Sequence, residues 1–230
     1  MAVFRQSTKT KMLYGAIALS VFFAAGSVCF FIIKQKTIIV LCAGDSFTAS
    51  GYTDALQKEF EKARMTVVVV NRGINGHTSG EYLNFMKRND ILEKDHPDAV
   101  LLMLGTNDVR VDRDYTKTDQ FIKNMNEIIS LIRQYSNKKG KTPKILISTV
   151  LPIPANPPST FNAQSVQRVK DEINPAIETI AGQHDLILVD NYRLFSEHMN
   201  LLSDIHPTQE GYELMAKNWY RHLAQVLRGF

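Results

Sequence analysis

Apolar residues in this chain form one long block, followed by short blocks that alternate with amphipathic stretches. The long block covers residues 12–33 and is almost wholly apolar and uncharged. About 20 consecutive apolar residues are enough for a helix to cross a bilayer, so this block predicts a transmembrane anchor. The pattern therefore divides the chain into a short tail over residues 1–11, the anchor over residues 12–33 and a globular domain over residues 37–230.

Within the globular part, strand-like and helix-like patterns alternate. Short apolar runs predict five strands, the first of them fully buried, at residues 37–43, 66–70, 99–104, 145–150 and 186–189. Helical spacing of apolar residues predicts helices over 52–63, 81–93, about 121–132, 166–177 with a kink at Pro175, and from about 208 onward. This alternation implies parallel strand pairing and right-handed crossovers. The predicted fold is a flavodoxin-like three-layer α/β/α sandwich with a five-stranded parallel sheet.

Charges on either side of the apolar block favour one orientation of the anchor. Lysine and arginine precede it at Arg5, Lys9 and Lys11 and follow it at Lys34 and Lys36. With the free amino terminus added, the positive-inside rule favours a cytoplasmic N-terminus and a domain on the extracytoplasmic side. The alternative is a secretory signal peptide cleaved near Ala25-Gly26-Ser27. Because the apolar run continues past that site to residue 33, an uncleaved anchor is the preferred interpretation.

Composition narrows the class of protein without naming an activity. Hydrophobic residues make up 44% of the chain and charged residues 22%, as in an ordinary globular protein. The net charge of +4 comes without any run of arginine or lysine suited to a phosphate backbone, so no nucleic-acid partner is expected. The two cysteines, Cys29 and Cys42, lie in apolar runs and are interpreted as small buried residues rather than a disulfide framework.

Four polar motifs fall where a parallel α/β sheet places its working site, at the carboxyl ends of the strands. They are Gly44-Asp45-Ser46, residues 71–79 (NRGINGHTS), Gly105-Thr106-Asn107-Asp108, and residues 203–207 (SDIHP) before the last helix. Each motif alone is ordinary turn chemistry. Their occurrence together, in order and at consecutive strand ends, points to one site. The remaining histidines, His96, His184, His198 and His222, are interpreted as surface or core residues.

These residue types suit nucleophilic catalysis on a carbonyl group. A serine hydroxyl needs a base to take its proton, and His206 is the candidate base for Ser46. The attacked carbonyl becomes an oxyanion, which needs preorganised donors. The backbone amides of Ser46 and Gly76 and the side-chain amide of Asn107 are the candidates for that oxyanion hole.

The four motifs resemble the conserved blocks of the SGNH (GDSL-like) hydrolases, named for their Ser, Gly, Asn and His. Gly44-Asp45-Ser46 is similar to the first block, Gly76 lies in the second, Gly105-Thr106-Asn107-Asp108 resembles the third and His206-Pro207 the last. The resemblance spans about residue 38 to the C-terminus. It implies hydrolysis of esters or thioesters through an acyl-serine intermediate, without a metal or cofactor, on the SGNH hydrolase fold.

The chain departs from the family pattern at the acid of the triad. The family usually places its acid three residues before the histidine, where this chain has Ser203, whereas Asp204 lies only two before His206. Asp204 is the predicted acid; the alternative is a Ser–His dyad oriented by a backbone carbonyl. Asp190, at the end of the fifth strand, is a reserve candidate for which a buried structural role is preferred.

Several nearby residues are assigned less specific roles. Asp45, His77 and Asp108 are possible pocket residues. Loop-holding hydrogen bonds are the preferred role for the two aspartates, and a surface position is the alternative for His77. Arg110 is a further candidate for the pocket or for the surface. The proline-rich loop over residues 151–158 is expected to border the cleft.

Two substrate classes fit an esterase at this site. An acyl lipid or thioester is favoured by the predicted anchor, and an O-acetyl carbohydrate by an extracytoplasmic domain. A non-catalytic module that binds an acylated ligand or a protein partner is the alternative from another class. A nucleotide-binding protein of flavodoxin type finds no support, because no Gly-rich phosphate loop follows the first strand.

Overall fold

The computed structural model describes residues 37–113 and 115–227. The predicted anchor over residues 12–33 and the tail before it lie outside this range. Among the described residues, no helix combines the length and apolar character needed to span a bilayer.

A parallel sheet of five strands forms the centre of the domain. The strands are β1 (Ile38–Gly44), β2 (Val67–Gly73), β3 (Ala99–Met103), β4 (Lys144–Ser148) and β5 (Ile187–Val189). Their order across the sheet is β2-β1-β3-β4-β5, and every neighbouring pair is parallel. The five parallel strands predicted from the alternating pattern are confirmed, and their order across the sheet is that of a flavodoxin-like fold.

Helices connect the strands and cover both faces of the sheet. They are α1 (Thr53–Lys62), α2 (Ser79–Asn89), α3 (Ile91–Asp95), α4 (Thr118–Gln134), α5 (Ala163–Arg168), α6 (Asn174–Gln183), α7 (Asn191–Ser196) and α8 (Gln209–Leu227). Short π-helical turns occupy Thr48–Tyr52 and Val169–Ile173, and 3₁₀ turns occupy Asn107–Val109 and Met199–Leu201.

Two apolar cores lie on opposite faces of the sheet, because successive strand residues point to opposite sides. Leu41 and Ala43 of β1 face the core formed with α2, α4 and α6. Val40 and Cys42 face the core formed with α1 and α8, where Trp219 is fully buried. Cys42 is thus a buried apolar residue, as predicted, and the domain is a three-layer sandwich.

Two predicted helices differ from the structure for identifiable backbone reasons. The single helix expected over residues 81–93 is divided into α2 and α3 by Asp90, which adopts a left-handed conformation with φ 48°. The kink expected at Pro175 is absorbed upstream: in the π-helical turn, the N–H of Asn174 bonds to the carbonyl of Val169, five residues back. Pro175 then lies in the first turn of α6, where its missing N–H costs little.

Candidate active site

A cleft of about 610 Å³ opens at the carboxyl ends of β1, β2 and β3. It is lined by Ser46, Ser50, Asn75, Gly76, Asn107, Arg110, Pro158, Thr160, Phe161, Asp204, Ile205, His206, Pro207 and Tyr212. All four polar motifs therefore contribute to one cleft, as expected from their positions at the strand ends. Pro158, at the end of the proline-rich segment, also lies on its wall.

Ser46 begins the helical segment that follows β1. The N–H of Ala49 bonds to the carbonyl of Asp45 at 3.0 Å, so Ser46 lies in the first turn, where N–H groups have no intrahelical acceptor. The turn packs closely enough that a side chain at position 44 would not fit: a Cβ on Gly44 would lie 2.2 Å from Thr48 Oγ1. This close packing presents the half-buried Ser46 side chain to the cleft.

Ser46 and His206 meet across 160 residues of sequence. Ser46 Oγ lies 2.9 Å from His206 Nε2, within hydrogen-bond distance. The buried ring of Phe47 packs against the imidazole with a centroid separation of 5.2 Å. The serine hydroxyl and the imidazole are therefore placed for direct proton transfer.

Asp204 reaches the other side of the same imidazole despite its shifted position. Its Oδ1 lies 3.1 Å from His206 Nδ1 and also accepts the backbone N–H of His206 at 2.7 Å. Ser203, which occupies the family's usual acid position, instead bonds to the backbone carbonyl of His206 through its N–H, at 2.9 Å, and through its hydroxyl, at 3.3 Å. The tight turn over residues 203–206 thus brings the Asp204 carboxylate into contact with the imidazole, although Asp204 lies only two residues before His206.

The Asp204 carboxylate stays ionised at neutral pH. Partial burial raises its pKa. The hydrogen bond from the His206 N–H and the nearby imidazole lower the pKa by more than burial raises it, so the net pKa lies below the ordinary value. The side chain is 49% exposed, so water surrounds much of this carboxylate.

Gly76 lies in the loop between β2 and α2, with φ +73°. That left-handed conformation suits glycine and is strained for other residues. The loop is held from one side by Arg113, whose Nη2 donates to the Gly76 carbonyl at 3.1 Å. It ends in a capping box at Thr78 and Glu81, which starts α2.

Asn107 lies in the 3₁₀ turn after β3 and is 5% exposed. Its Nδ2 faces two acceptors, the Asp45 carboxylate at 3.4 Å and the His77 carbonyl at 3.2 Å. The loops that follow β1, β2 and β3 thus meet at the Asn107 side chain.

Asp45 and Asp108 hold loops through hydrogen bonds to the backbone, the role preferred for them, and neither these two residues nor His77 line the cleft. Asp45 is fully buried and accepts the N–H of Phe47 at 3.1 Å. Asp108 is fully buried and accepts the N–H of Ser79 at 2.9 Å and its hydroxyl at 2.6 Å. The ring of His77 packs edge-on against Phe85, and only the carbonyl of His77 contacts the site.

Asp190 was expected to be a buried structural residue, but its side chain is exposed. Its carboxylate caps α7 by accepting the N–H of Arg193 at 3.0 Å, and it bonds to Thr149 Oγ1 at 3.1 Å. A strand end that leads straight into a helix leaves its capping carboxylate at the surface.

The opposite walls of the cleft come partly from residues that sequence reasoning did not assign to the site. Tyr212 was expected only on the apolar face of α8, but its ring also reaches the cleft. Burial raises the pKa of its hydroxyl, which therefore stays protonated. Thr160 and Phe161 follow the proline-rich segment, and the carbonyl of Thr160 accepts the N–H of Val111 at 3.0 Å. The sequence signal that could have placed Tyr212 at the cleft was its position in the first turn of α8, shortly after His206-Pro207.

Comparison with known sequences identifies the class of protein. The profile of the GDSL-like lipase/acylhydrolase family matches residues 42–214, most of the chain. The chain therefore belongs to this family, and the resemblance inferred from the four motifs is confirmed.

Individual relatives are more distant. A multidomain esterase from Ruminococcus flavefaciens is 23% identical over 163 residues, which are 71% of this chain but only 20% of that protein. The chain thus spans about a fifth of the length of this curated relative. Among solved structures, a lipase/acylhydrolase from Enterococcus faecalis superposes with a TM-score of 0.68 at 20% identity, covering 82% of this chain and 96% of that one. An acetylxylan esterase from Geobacillus stearothermophilus superposes with a TM-score of 0.65 at 20% identity, covering 81% and 94%. These likenesses establish a shared fold.

Proposed function

We propose that this chain is a serine esterase that removes acetyl groups from carbohydrate esters through an acyl-Ser46 intermediate. The observation that carries the proposal is the 2.9 Å contact between Ser46 Oγ and His206 Nε2 in a cleft that also contains Gly76 and Asn107. Membership of a lipase/acylhydrolase family supports the reaction class.

In the first half of the reaction, His206 Nε2 takes the hydroxyl proton as Ser46 Oγ attacks the acyl carbon. The carbonyl oxygen gains the electron pair and becomes an oxyanion, stabilised by the N–H groups of Ser46 and Gly76 and by Asn107 Nδ2. When the tetrahedral intermediate collapses, the bond to the alcohol oxygen breaks. His206 then gives its proton to that oxygen, and the alcohol leaves.

In the second half, water replaces the alcohol. His206 Nε2 takes a proton from water as the water oxygen attacks the acyl-serine carbon. Collapse of the second tetrahedral intermediate releases the carboxylic acid and returns the proton to Ser46 Oγ. Asp204 stabilises the imidazolium formed in each half and holds the ring in the tautomer that leaves Nε2 free to accept.

The lining of the cleft supports a small acyl group on a polar alcohol. A long acyl chain requires a long apolar groove, whereas an acetyl group requires only a shallow pocket. The wall combines polar residues such as Ser50, Asn75 and Thr160 with apolar ones such as Phe161 and Ile205. Hydroxyl and amide groups arranged in this way suit the hydroxyl groups of a sugar.

The substrate class is tested with a panel of p-nitrophenyl esters from acetate to palmitate, run beside acetylated xylan and a lysophospholipid. We expect kcat/KM to fall steeply beyond butyrate and acetate to be released from the polymer. A maximum at long chains, or release of fatty acid from the lysophospholipid, would instead identify an acyl-lipid hydrolase.

The same protein tests the alternative of a non-catalytic binding module. A fluorophosphonate probe is expected to label the wild-type protein and to leave Ser46→Ala unlabelled. Folded wild-type protein that neither reacts with the probe nor hydrolyses any ester in the panel would favour the binding module.

We also propose, on the sequence pattern of residues 12–33, that the chain is a single-pass membrane protein with its domain outside the cytoplasm. Fusion of a compartment-sensitive reporter to the C-terminus tests the orientation. Detergent-dependent release of the unshortened chain from membranes would support an anchor. Recovery of a soluble form shortened near residue 27 would support signal-peptide cleavage.

A further inference from the structure

Asp45 is a buried carboxylate that the reaction steps above do not use. It is 0% exposed, and each of its oxygens faces one donor. Oδ1 accepts the backbone N–H of Phe47 at 3.1 Å, and Oδ2 accepts Asn107 Nδ2 at 3.4 Å. A buried carboxylate is costly, so its contacts with the loop that carries Ser46 and with Asn107 need a reason.

The orientation of the Asn107 amide decides whether it stabilises or repels an oxyanion. An asparagine side chain has a donor NH2 on one side and an acceptor oxygen on the other. Rotation by half a turn would place Oδ1 against two acceptors, the Asp45 carboxylate and the His77 carbonyl. The ionised form of Asp45 therefore opposes the rotated state, in which a lone pair of Asn107 would face the reacting carbonyl.

We propose that Asp45 is a positioning residue whose ionised carboxylate keeps the NH2 group of Asn107, rather than its amide oxygen, turned toward the loops that form the oxyanion hole. This inference rests on the esterase function proposed above. It assigns Asp45 an action through Asn107 rather than a contact with substrate, consistent with its absence from the wall of the cleft.

The surroundings of Asp45 make this action sensitive to pH. Burial, with a smaller contribution from the negative charge of Asp108, raises the pKa of Asp45 to about 7. Tyr212 of α8 also lies near Asp45, and His206 contacts the adjacent Ser46. A protonated Asp45 can donate to the rotated amide oxygen, so at lower pH only the His77 carbonyl still opposes the rotated state, and the preference for the productive orientation weakens.

A double-mutant cycle on p-nitrophenyl acetate hydrolysis tests the assignment. At pH 8, Asp45→Asn is expected to lower kcat roughly tenfold while KM stays within about twofold. In an Asn107→Ala background the same change is expected to have almost no further effect, because its target is gone. Equal losses in both backgrounds, or an unchanged kcat in the single variant, would overturn the proposal.

A matched control variant separates the effect of Asp45 on Asn107 from the general effect of removing a buried carboxylate. Asp98 is also buried, at 1% exposure, but lies at the amino end of β3 and pairs with Lys139. Asp98→Asn is expected to lower thermal stability without changing kcat. Thermal unfolding of the isosteric Asp45→Asn variant verifies that it is folded at the assay temperature.

A second measurement tests the inference without relying on activity. In His206→Ala protein, which has no imidazole beside Ser46, the ¹⁵N-labelled side-chain amide of Asn107 is followed by NMR from pH 5 to 9. We expect its resonance to shift with an apparent pKa near 7 and the shift to vanish when Asp45→Asn is added. A resonance that Asp45→Asn leaves unmoved at pH 8 would contradict the positioning role, even if wild-type protein proves inactive on every ester and the proposed function fails.

Discussion

The two sides of the candidate site are supported in different ways. On the nucleophile side, Ser46 follows a strand whose residues from Val40 onward are buried, and the adjacent Asp45 is fully buried. On the base side, His206 lies in a short turn between α7 and α8, with its side chain 34% exposed and that of Asp204 49% exposed. Packing in the core of the domain holds the nucleophile side in position, whereas hydrogen bonds at the surface hold the base side.

This difference affects how strongly each carboxylate acts. A charge in a dry environment interacts strongly with its neighbours, whereas water screens an exposed one. Asp45 should therefore influence Asn107 more than its 3.4 Å contact alone suggests, and Asp204 should contribute less than a buried triad acid. Removing groups from each side in turn tests this contrast.

The largest expected effect is at the contact between the two sides. Ser46→Ala and His206→Ala should each lower kcat by roughly 10⁴-fold or more, since nucleophile and base act as a unit. The double variant should be hardly worse than either single one, as measured with p-nitrophenyl acetate. Retained turnover in Ser46→Ala protein would rule out the acyl-serine mechanism.

The next largest effect is expected at Asn107 on the buried side. Asn107→Ala should lower kcat by roughly 10²- to 10³-fold with a smaller change in KM, because an oxyanion donor acts mainly in the transition state. Steady-state kinetics at pH 8 measure the two constants separately. A rise in KM with kcat unchanged would mean that Asn107 binds substrate in the ground state only.

A smaller effect is expected at Asp204 on the exposed side. Asp204→Asn should lower kcat by roughly 10- to 100-fold, less than the roughly 10⁴-fold known for a buried triad acid, because water already screens this carboxylate. Ser203→Ala is the matched control and should stay close to wild type, since its hydroxyl contacts only the His206 carbonyl. The reverse ranking of these two variants would reject Asp204 as the acid.

The smallest effect is on stability and concerns Asp45. Its pKa is about 7 in the folded protein against 3.8 as the ordinary value, so the folded state prefers the protonated form. Relative to a neutral Asn, this cost is absent below about pH 4, grows as pH rises and is complete above about pH 7.

The melting temperature of Asp45→Asn relative to wild type should therefore be higher at pH 8 than at pH 5. The difference corresponds to on the order of 2–3 kcal/mol, or roughly 5–10 °C for a domain of this size. Differential scanning calorimetry at the two pH values measures it. A difference that does not vary with pH would mean that Asp45 is ionised throughout.

The strands and the four motifs were predictable because both are local features. A parallel strand buried on both faces appears as a short apolar run, as at β1 and β3. Polar residues directly after such runs, including Ser46 and Asn107, are then placed at one edge of the sheet by topology alone. The contact of Asp204 with the imidazole was also foreseeable, because Asp204 was the carboxylate nearest to His206 in sequence.

The predictions and the structure differ where the local sequence pattern is ambiguous. Apolar spacing continues through Asp90, so periodicity alone did not reveal that its left-handed backbone divides α2 from α3. A proline in a helical pattern predicts a kink, but a π-helical turn upstream accommodates Pro175 without ending the helix. His77 follows the glycine of its motif, yet its ring packs on Phe85 because a loop side chain takes its direction from tertiary contacts.

The sequence by itself determined the order of strands and helices, the edge of the sheet where the site lies and the residue types available there. Only the tertiary structure decided that Ser46 and His206 lie 2.9 Å apart and that Asp204 reaches the imidazole from two residues away. It also decided that Asp45 lies beneath the site, against Asn107, rather than on its wall. The physical reason is that periodicity records which residues are buried, whereas distances between side chains far apart in sequence depend on how the packed layers bring separate loops together.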